Sequence, residues 1–255
     1  MFTINALADR LRSGEPTLSA WCGLPDPATA GLLAREGFDA ITIDMQHGAI
    51  DFAATVRTIP LVTAAGKPTI VRIPVGEFAT ASRLLDAGAS AVISPMINTV
   101  EDARRFGSFM KYPPLGQRSW GPHAAVPLSG LQPKDYFSKA NGFSLALAMI
   151  ETREALAVVD EILAAPEIDG IFVGPSDLSI ALSNGAENNP VGPEASAALE
   201  HVLARARAAS KFIGVYASSG ERGGELAKKG FDLVSIGTDT GFLRAGAQAA
   251  LALAR

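Results

Sequence analysis

Glu151 and Asp177 both stand just past short apolar runs, residues 144–149 and 170–173. Two carboxylates with open oxygen positions suit a hard divalent cation such as Mg²⁺ or Mn²⁺, with water or a substrate oxygen completing the shell. Each also has a structural reading. Glu151 can be the acid that opens an apolar helix, and Asp177 a cap after Gly174-Pro175-Ser176. Arg72 lies near the end of another apolar run, 68–73, where an unpaired charge is costly, so an anion should meet it. That anion is a substrate group or Asp44, which follows the run 40–43 and precedes Gln46, His47 and Gly48. An imidazole among such groups carries protons; alone it is a solvated turn residue.

Gly174-Pro175-Ser176 presents backbone amides at a helix start, which suits a carboxylate or phosphate. Trp21, Asn98, Thr238 and Asp239 follow further apolar runs. No lysine stands at such a position, which argues against Schiff-base chemistry. Neither a dinucleotide-binding glycine motif nor a Walker motif is present. Cys22, the one cysteine, has no evident activating partner and reads as core packing, and it excludes an intrachain disulfide.

Bringing these residues together takes a repeating scaffold. Strands are predicted at 17–22, 40–43, 68–73, 91–94, 144–149, 170–173, 212–216 and 233–236. Helices are predicted at 4–12, from Pro27 to a stop at Gly37, and at 51–65, 77–87, 100–110, 133–140 and 153–165. A further helix after Gly174 is interrupted by the polar loop 184–192 and resumes to 210; the last two cover 219–229 and 241 to the end. Residues 112–134 read as irregular. Short β-branched strands alternating with helices over 255 residues predict a (β/α)8 TIM barrel spanning residues 1–255 as one domain, with a doubly wound open sheet as the alternative. In a barrel the carboxyl ends of all strands share one mouth.

With 48% apolar and 19% charged residues, a sizeable core is affordable. A net charge of −4 argues against nucleic acid or an anionic membrane as partner. The N-terminal stretch carries Asp9, Arg10, Arg12 and Glu15 and lacks the apolar core of a secretory leader, and no apolar run is long enough to span a bilayer. A soluble cytoplasmic protein is expected.

Six ordered motifs resemble the HpcH/HpaI aldolases over essentially the whole chain. They are Gly37-Phe38-Asp39 through Asp44-x-Gln46-His47-Gly48, Val71-Arg72-Ile73-Pro74, Leu85-Asp86-Ala87-Gly88-Ala89, Tyr112-Pro113-Pro114-x-Gly116-x-Arg118, Ile150-Glu151-Thr152 and Val173-Gly174-Pro175-Ser176-Asp177-Leu178-Ser179. The resemblance implies a class II aldolase that cleaves 4-hydroxy-2-oxo acids into pyruvate or hydroxypyruvate and an aldehyde. It implies Glu151 and Asp177 as ligands of a divalent metal (Mg, Mn, Co or similar), Arg72 as the group that stabilises the enolate oxygen, and His47 as the general base. Asp86 resembles the acid that raises the histidine's basicity. Gly174, Pro175 and Ser176 resemble the donor-carboxylate pocket, the resemblance implies that Trp21 shapes the aldehyde side, and Asp44 reads as an orienting or structural acid. The family is commonly hexameric, a trimer of dimers, with a helix exchanged between subunits, which implies that the helix around 245–254 packs on a partner.

Asp86 ends a helix just before a strand, so it should lie away from its own mouth and reach His47 of a neighbouring copy. Two positions depart from the family pattern: Gln46 where Glu is frequent, and Met149 where Gln is frequent. The first removes a charge beside the base, and the second a hydrogen-bond donor to the substrate. Two other functions stay open on the sequence. An acyl-CoA lyase would need a basic groove, for which Arg104, Arg105 and Lys111 are candidates, and a non-catalytic 2-oxo-acid-binding protein would keep the pocket without turnover.

Overall fold

The computed structural model describes residues 5–255. The strands are β1 (Thr17–Cys22), β2 (Ala40–Asp44), β3 (Thr69–Arg72), β4 (Ala91–Ser94), β5 (Leu145–Ile150), β6 (Gly170–Val173), β7 (Phe212–Ala217) and β8 (Leu233–Ile236). They pair in sequence order, all parallel, and β8 returns to β1 to close the barrel. The helices are α1 (Ala6–Ser13), α2 (Pro27–Leu33), α3 (Phe52–Ala64), α4 (Phe78–Asp86), α5 (Val100–Met110), α6 (Ala125–Ser129) and α7 (Pro133–Phe143). They continue with α8 (Arg153–Ala157), α9 (Val159–Ala164), α10 (Pro175–Leu182), α11 (Pro193–Ala208), α12 (Gly220–Lys229) and α13 (Asp239–Ala254). The closed barrel rules out the open sheet.

Local chemistry sets where the helices begin. The Asp26, Asp51, Thr99, Thr152 and Thr238 side chains accept from amides in the first turns of α2, α3, α5, α8 and α13. Two expectations are corrected. The helix predicted at 153–165 breaks at Val158, whose φ of −118° leaves the helical region. The irregular segment 112–134 contains α6. Ile4, the first residue of the first predicted helix, lies outside the described residues.

Period-two alternation divides each strand between two apolar layers. Ala146, Ala148 and Ile150 pack outward in the layer shared with the helices, while Leu145, Leu147 and Met149 pack inward. Ala40, Ile70, Phe172 and Leu233 join that inner layer. Leu7, Ala8 and Leu11 of α1 join it too and close the amino end of the barrel. The same alternation carries Glu151, two residues beyond Met149, onto the inner face at the open end. It does likewise for Arg72, two beyond Ile70, and for Asp44, four beyond Ala40.

Lys111 is fully buried near the amino ends of β5 and β6. Its ammonium donates to Asn141 O, Ser144 O and Asp169 Oδ2 at 2.8, 2.8 and 2.6 Å. Burial pulls its pKa below the ordinary value despite Asp169. Lys111 is therefore a structural cation and is lost to the basic groove that an acyl-CoA reading requires.

Candidate active site

One cavity of about 210 Å³ opens at the carboxyl ends of the strands, and Trp21, His47, Arg72, Met149, Asp177 and Tyr216 line it. Gly174, Pro175 and Ser176 complete its wall. Among the described residues, no lysine lines it.

Asp44 is the hub of one side. β2 and β3 pair in register, with Asp44 opposite Arg72. Its carboxylate accepts from Arg72 Nε at 2.9 Å and Nη2 at 2.7 Å, a bidentate ion pair between buried side chains. It also accepts from Trp21 Nε1 at 3.2 Å and from the amides of Gln46 and His47 at 3.0 and 3.3 Å. Burial pushes the Asp44 carboxyl up, but the Arg72 guanidinium and the Trp21 and Gln46 donors outweigh it and hold the group below its ordinary value of 3.8. The Arg72 guanidinium lies 4.8 Å from the Trp21 ring centre. The ion-pair reading of Arg72 therefore holds, and Arg72 still faces the cavity. His47 is exposed on the loop after β2. That loop touches the end of β1, where Ala49 N–H donates to Gly23 O at 2.8 Å. A Cβ on Gly48 would fall 2.8 Å from Gly23 Cα, so only glycine permits this approach.

Glu151 dominates the other side and is 1% exposed. Its Oε1 accepts from Met96 N–H at 2.8 Å. Met96 holds φ at +54°, a left-handed conformation that costs a non-glycine residue about 1 kcal/mol or more, and it sits where its amide meets this carboxylate. Glu151 Oε2 is buried with no hydrogen-bond partner among the described residues. Burial raises the Glu151 pKa and the Asp177 charge raises it further, against the Met96 amide and Arg72. A buried carboxylate oxygen left open beside a second carboxylate fits a hard cation, which is bound through one or two carboxylates with substrate and water. No group of three or more His, Cys, Asp or Glu side chains converges among the described residues, so a cation here would find two carboxylates at most. A Cβ on Gly174 would stand 2.6 Å from Met149 Cε and 2.7 Å from Glu151 Oε2, so glycine keeps the space beside the open oxygen clear. Asp177 is exposed in the first turn of α10, a helix without a side-chain cap, which leaves amides free at the mouth.

The other sequence candidates separate from the cavity. Asn98 Oδ1 accepts from Thr152 Oγ1 at 2.6 Å. Asp239 accepts from the amides of Gly23 and Leu24 at 2.9 and 2.8 Å. Thr238 caps α13. Cys22 is buried, and burial followed by the Asp239 charge pushes its thiol well up, as core packing requires. Asp86 ends α4 away from the cavity, where Oδ1 accepts from Arg118 Nη2 at 2.8 Å. The structure does not join Asp86 to His47 within the chain. Gln46 is half-buried and its Oε1 has no partner among the described residues. Tyr216 was missing from the sequence candidates. Its position carries the signal, since it is the last residue of a predicted strand, 212–216, and so points a polar group at the mouth.

Fold and site together define a (β/α)8 barrel whose cavity is lined by the Asp177 carboxylate, a guanidinium and an imidazole, with the open Glu151 oxygen beside Gly174 in its wall. The profile of the HpcH/HpaI aldolase/citrate lyase family matches residues 18–245, and the chain belongs to that family. The chain is 39% identical over 242 residues to the hydroxypyruvate/pyruvate aldolase of Rhizorhabdus wittichii, covering 95% of each. It is 33% identical over 245 residues to the 4-hydroxy-2-oxo-heptane-1,7-dioate aldolase of Salmonella dublin, covering 96% of this chain and 92% of that one. It superposes on the crystal structure of an HpcH/HpaI aldolase/citrate lyase family protein from Burkholderia cenocepacia with a TM-score of 0.87 at 30% identity, covering 98% of this chain and all of that one. Among the described residues, no helix is long and apolar enough to cross a membrane.

Proposed function

We propose that this chain is an aldolase that reversibly cleaves 4-hydroxy-2-oxo acids into a 2-oxo acid, pyruvate or hydroxypyruvate, and an aldehyde. The observation that carries this reading is the open Glu151 oxygen beside Gly174, in the wall of a cavity lined by Asp177, Arg72 and His47. Glu151 and Asp177 would hold a divalent cation such as Mg²⁺, Mn²⁺ or Co²⁺. When bound, the cation supplies Lewis-acid polarisation of the 2-oxo group and a template for its carboxylate.

The chain's own residues do the rest. Arg72, fixed by two bonds to Asp44, holds positive charge ready where negative charge develops on the 2-oxo oxygen during cleavage. His47 accepts the C4 hydroxyl proton and later returns a proton to C3 of the donor. The free amides at the start of α10, with Ser176, receive the donor carboxylate. Trp21 and Met149 supply apolar walls, so the donor's third carbon meets a thioether where the family's usual glutamine would offer an amide. Exhaustive chelation is expected to abolish turnover over a panel of pyruvate, hydroxypyruvate and aldehydes. Added divalent cation should restore it, and borohydride with pyruvate should leave the protein's mass unchanged. Turnover that survives chelation sinks the metal-dependent reading.

The assembly belongs to the same proposal: a homo-oligomer, with six copies the expected number, whose 2-oxo acid site borrows Asp86 from a neighbour. Two observations support it. The second Asp86 oxygen accepts no hydrogen bond among the described residues. On α13 only Asp239 is buried, leaving Leu243, Leu251 and Leu253 at 59, 54 and 91% exposure for a partner to cover. Mixing an inactive His47→Asn protein with an inactive Asp86→Ala protein, after dissociation and reassembly, is expected to restore activity in sites that combine one intact residue from each copy. Persistent inactivity of the mixture assigns both residues to one chain or removes Asp86 from the site.

A further inference from the structure

Every hydrogen-bond donor in the cavity except two has a protein partner or a task in holding the donor acid. Arg72 Nε and Nη2 and Trp21 Nε1 are engaged by Asp44, and Arg72 Nη1 is assigned to the 2-oxo oxygen. The amides at the start of α10 and Ser176 serve the donor carboxylate, and Glu151 and Asp177 bring no hydrogens. His47 and Tyr216 are left. The Tyr216 ring is fixed edge-on against Trp21, at 5.4 Å between centres and 73° between planes. Its hydroxyl makes no hydrogen bond among the described residues. The residue lines both the main cavity and an adjoining groove that runs from Pro175 and Ser176 to Val191 and Arg222. Tyr216 therefore shares the wall formed by Trp21, with Arg72 and Asp44 as the charges that bear on its hydroxyl, and Trp21 is the residue expected to shape the aldehyde side of the site.

We propose that the Tyr216 hydroxyl donates a hydrogen bond to the C4 oxygen, the oxygen that becomes the aldehyde carbonyl, and is a catalytic residue for carbon–carbon bond cleavage and formation but not for enolisation. The proposal rests on the aldolase reading. In cleavage the C4 hydroxyl proton passes to His47, the C3–C4 electron pair moves into the 2-oxo group, and the C4–O bond becomes a carbonyl. Negative charge gathers on the C4 oxygen as its proton leaves, and a neutral phenol is the donor it meets. Burial raises the Tyr216 pKa, Arg72 lowers it and Asp44 raises it again, with a net rise, so the phenol keeps its proton across the neutral range.

Two reactions separate this role from packing or donor binding. The first is deuterium exchange at C3 of pyruvate without aldehyde, and the second is aldol addition of pyruvate to glycolaldehyde. Tyr216→Phe, measured as the metal-loaded full chain, is expected to exchange pyruvate at the wild-type rate. Its kcat for addition should fall about tenfold, the effect of one hydrogen bond made in the transition state. Unchanged addition overturns the proposal, and so does an equal fall in both reactions, which would put Tyr216 on the donor side. A wild-type protein that catalyses neither reaction overturns the aldolase reading, and this assignment with it.

Discussion

Glu151→Gln is expected to lower aldol turnover by about 10³-fold or more and, at the same time, to raise the melting temperature of the metal-free protein. The two effects share one cause. Glu151 is a nearly inaccessible carboxylate with one oxygen held by the Met96 amide and the other open. Without a cation, its burial and the Asp177 charge make ionisation costly, which is why its pKa is raised. Glutamine keeps the carbonyl oxygen for Met96 and removes the charge. Catalysis loses the charge stabilisation a bound cation supplies, several kcal/mol, and about 4 kcal/mol is a thousandfold in rate. Cation at about 100 times its dissociation constant should stabilise the wild type by about 2.7 kcal/mol and leave the variant unmoved. Thermal scans of both proteins with and without Mn²⁺ read this directly. A variant that matches the wild type in cation-induced stabilisation removes Glu151 from the binding pair.

Asp44→Asn is expected to cost about 3–5 kcal/mol of stability at neutral pH, the usual result of breaking a buried ion pair from one side. At this chain length that is about 10 °C in melting temperature. Asparagine has one acceptor oxygen where the carboxylate serves Arg72 twice, Trp21, and the Gln46 and His47 amides. Arg72 would be left buried and unmatched, and the His47 loop would lose its anchor, so activity falls with stability. The pH dependence has a definite sign. The folded-state pKa of Asp44 lies below its ordinary value of 3.8, so its stabilisation is complete above that value and fades as pH drops through the folded-state value. The gap in stability between wild type and variant should therefore close in acid. A gap that is constant from pH 7 to pH 3 in denaturant titrations would show that the charge of Asp44 contributes nothing.

The barrel was legible because its strands are short, apolar and rich in β-branched residues, and glycine or capping residues separate them from the helices. The bounds of β1, β4, β6 and β8 agree with those read from sequence. The mouth was legible for a related reason. Polar side chains directly after such strands have one place to go, and period two puts Asp44, Arg72, Met149 and Glu151 on the inner face. What escaped were contacts between residues far apart in sequence. Lys111 reads as a solvated basic residue until Asp169, 58 positions later, is folded against it. Asp86 reads as an acid for a neighbour's His47, and nothing in its sequence surroundings signals that Arg118, 32 positions later, closes on it. The strained Met96 amide that holds Glu151 leaves no trace in residue type, because its φ of +54° is imposed by the loop after β4.

The Glu151–Asp177 pair, with a cation, is expected to make the third carbon of a 2-oxo acid exchangeable. Proton NMR of pyruvate in D₂O with the purified protein tests it most directly. The methyl signal is expected to decay when Mg²⁺ is present, to persist after chelation, and to persist with Glu151→Gln even at high Mg²⁺. Decay at the same rate in all three samples, or no decay in the Mg²⁺-loaded wild type, would contradict it.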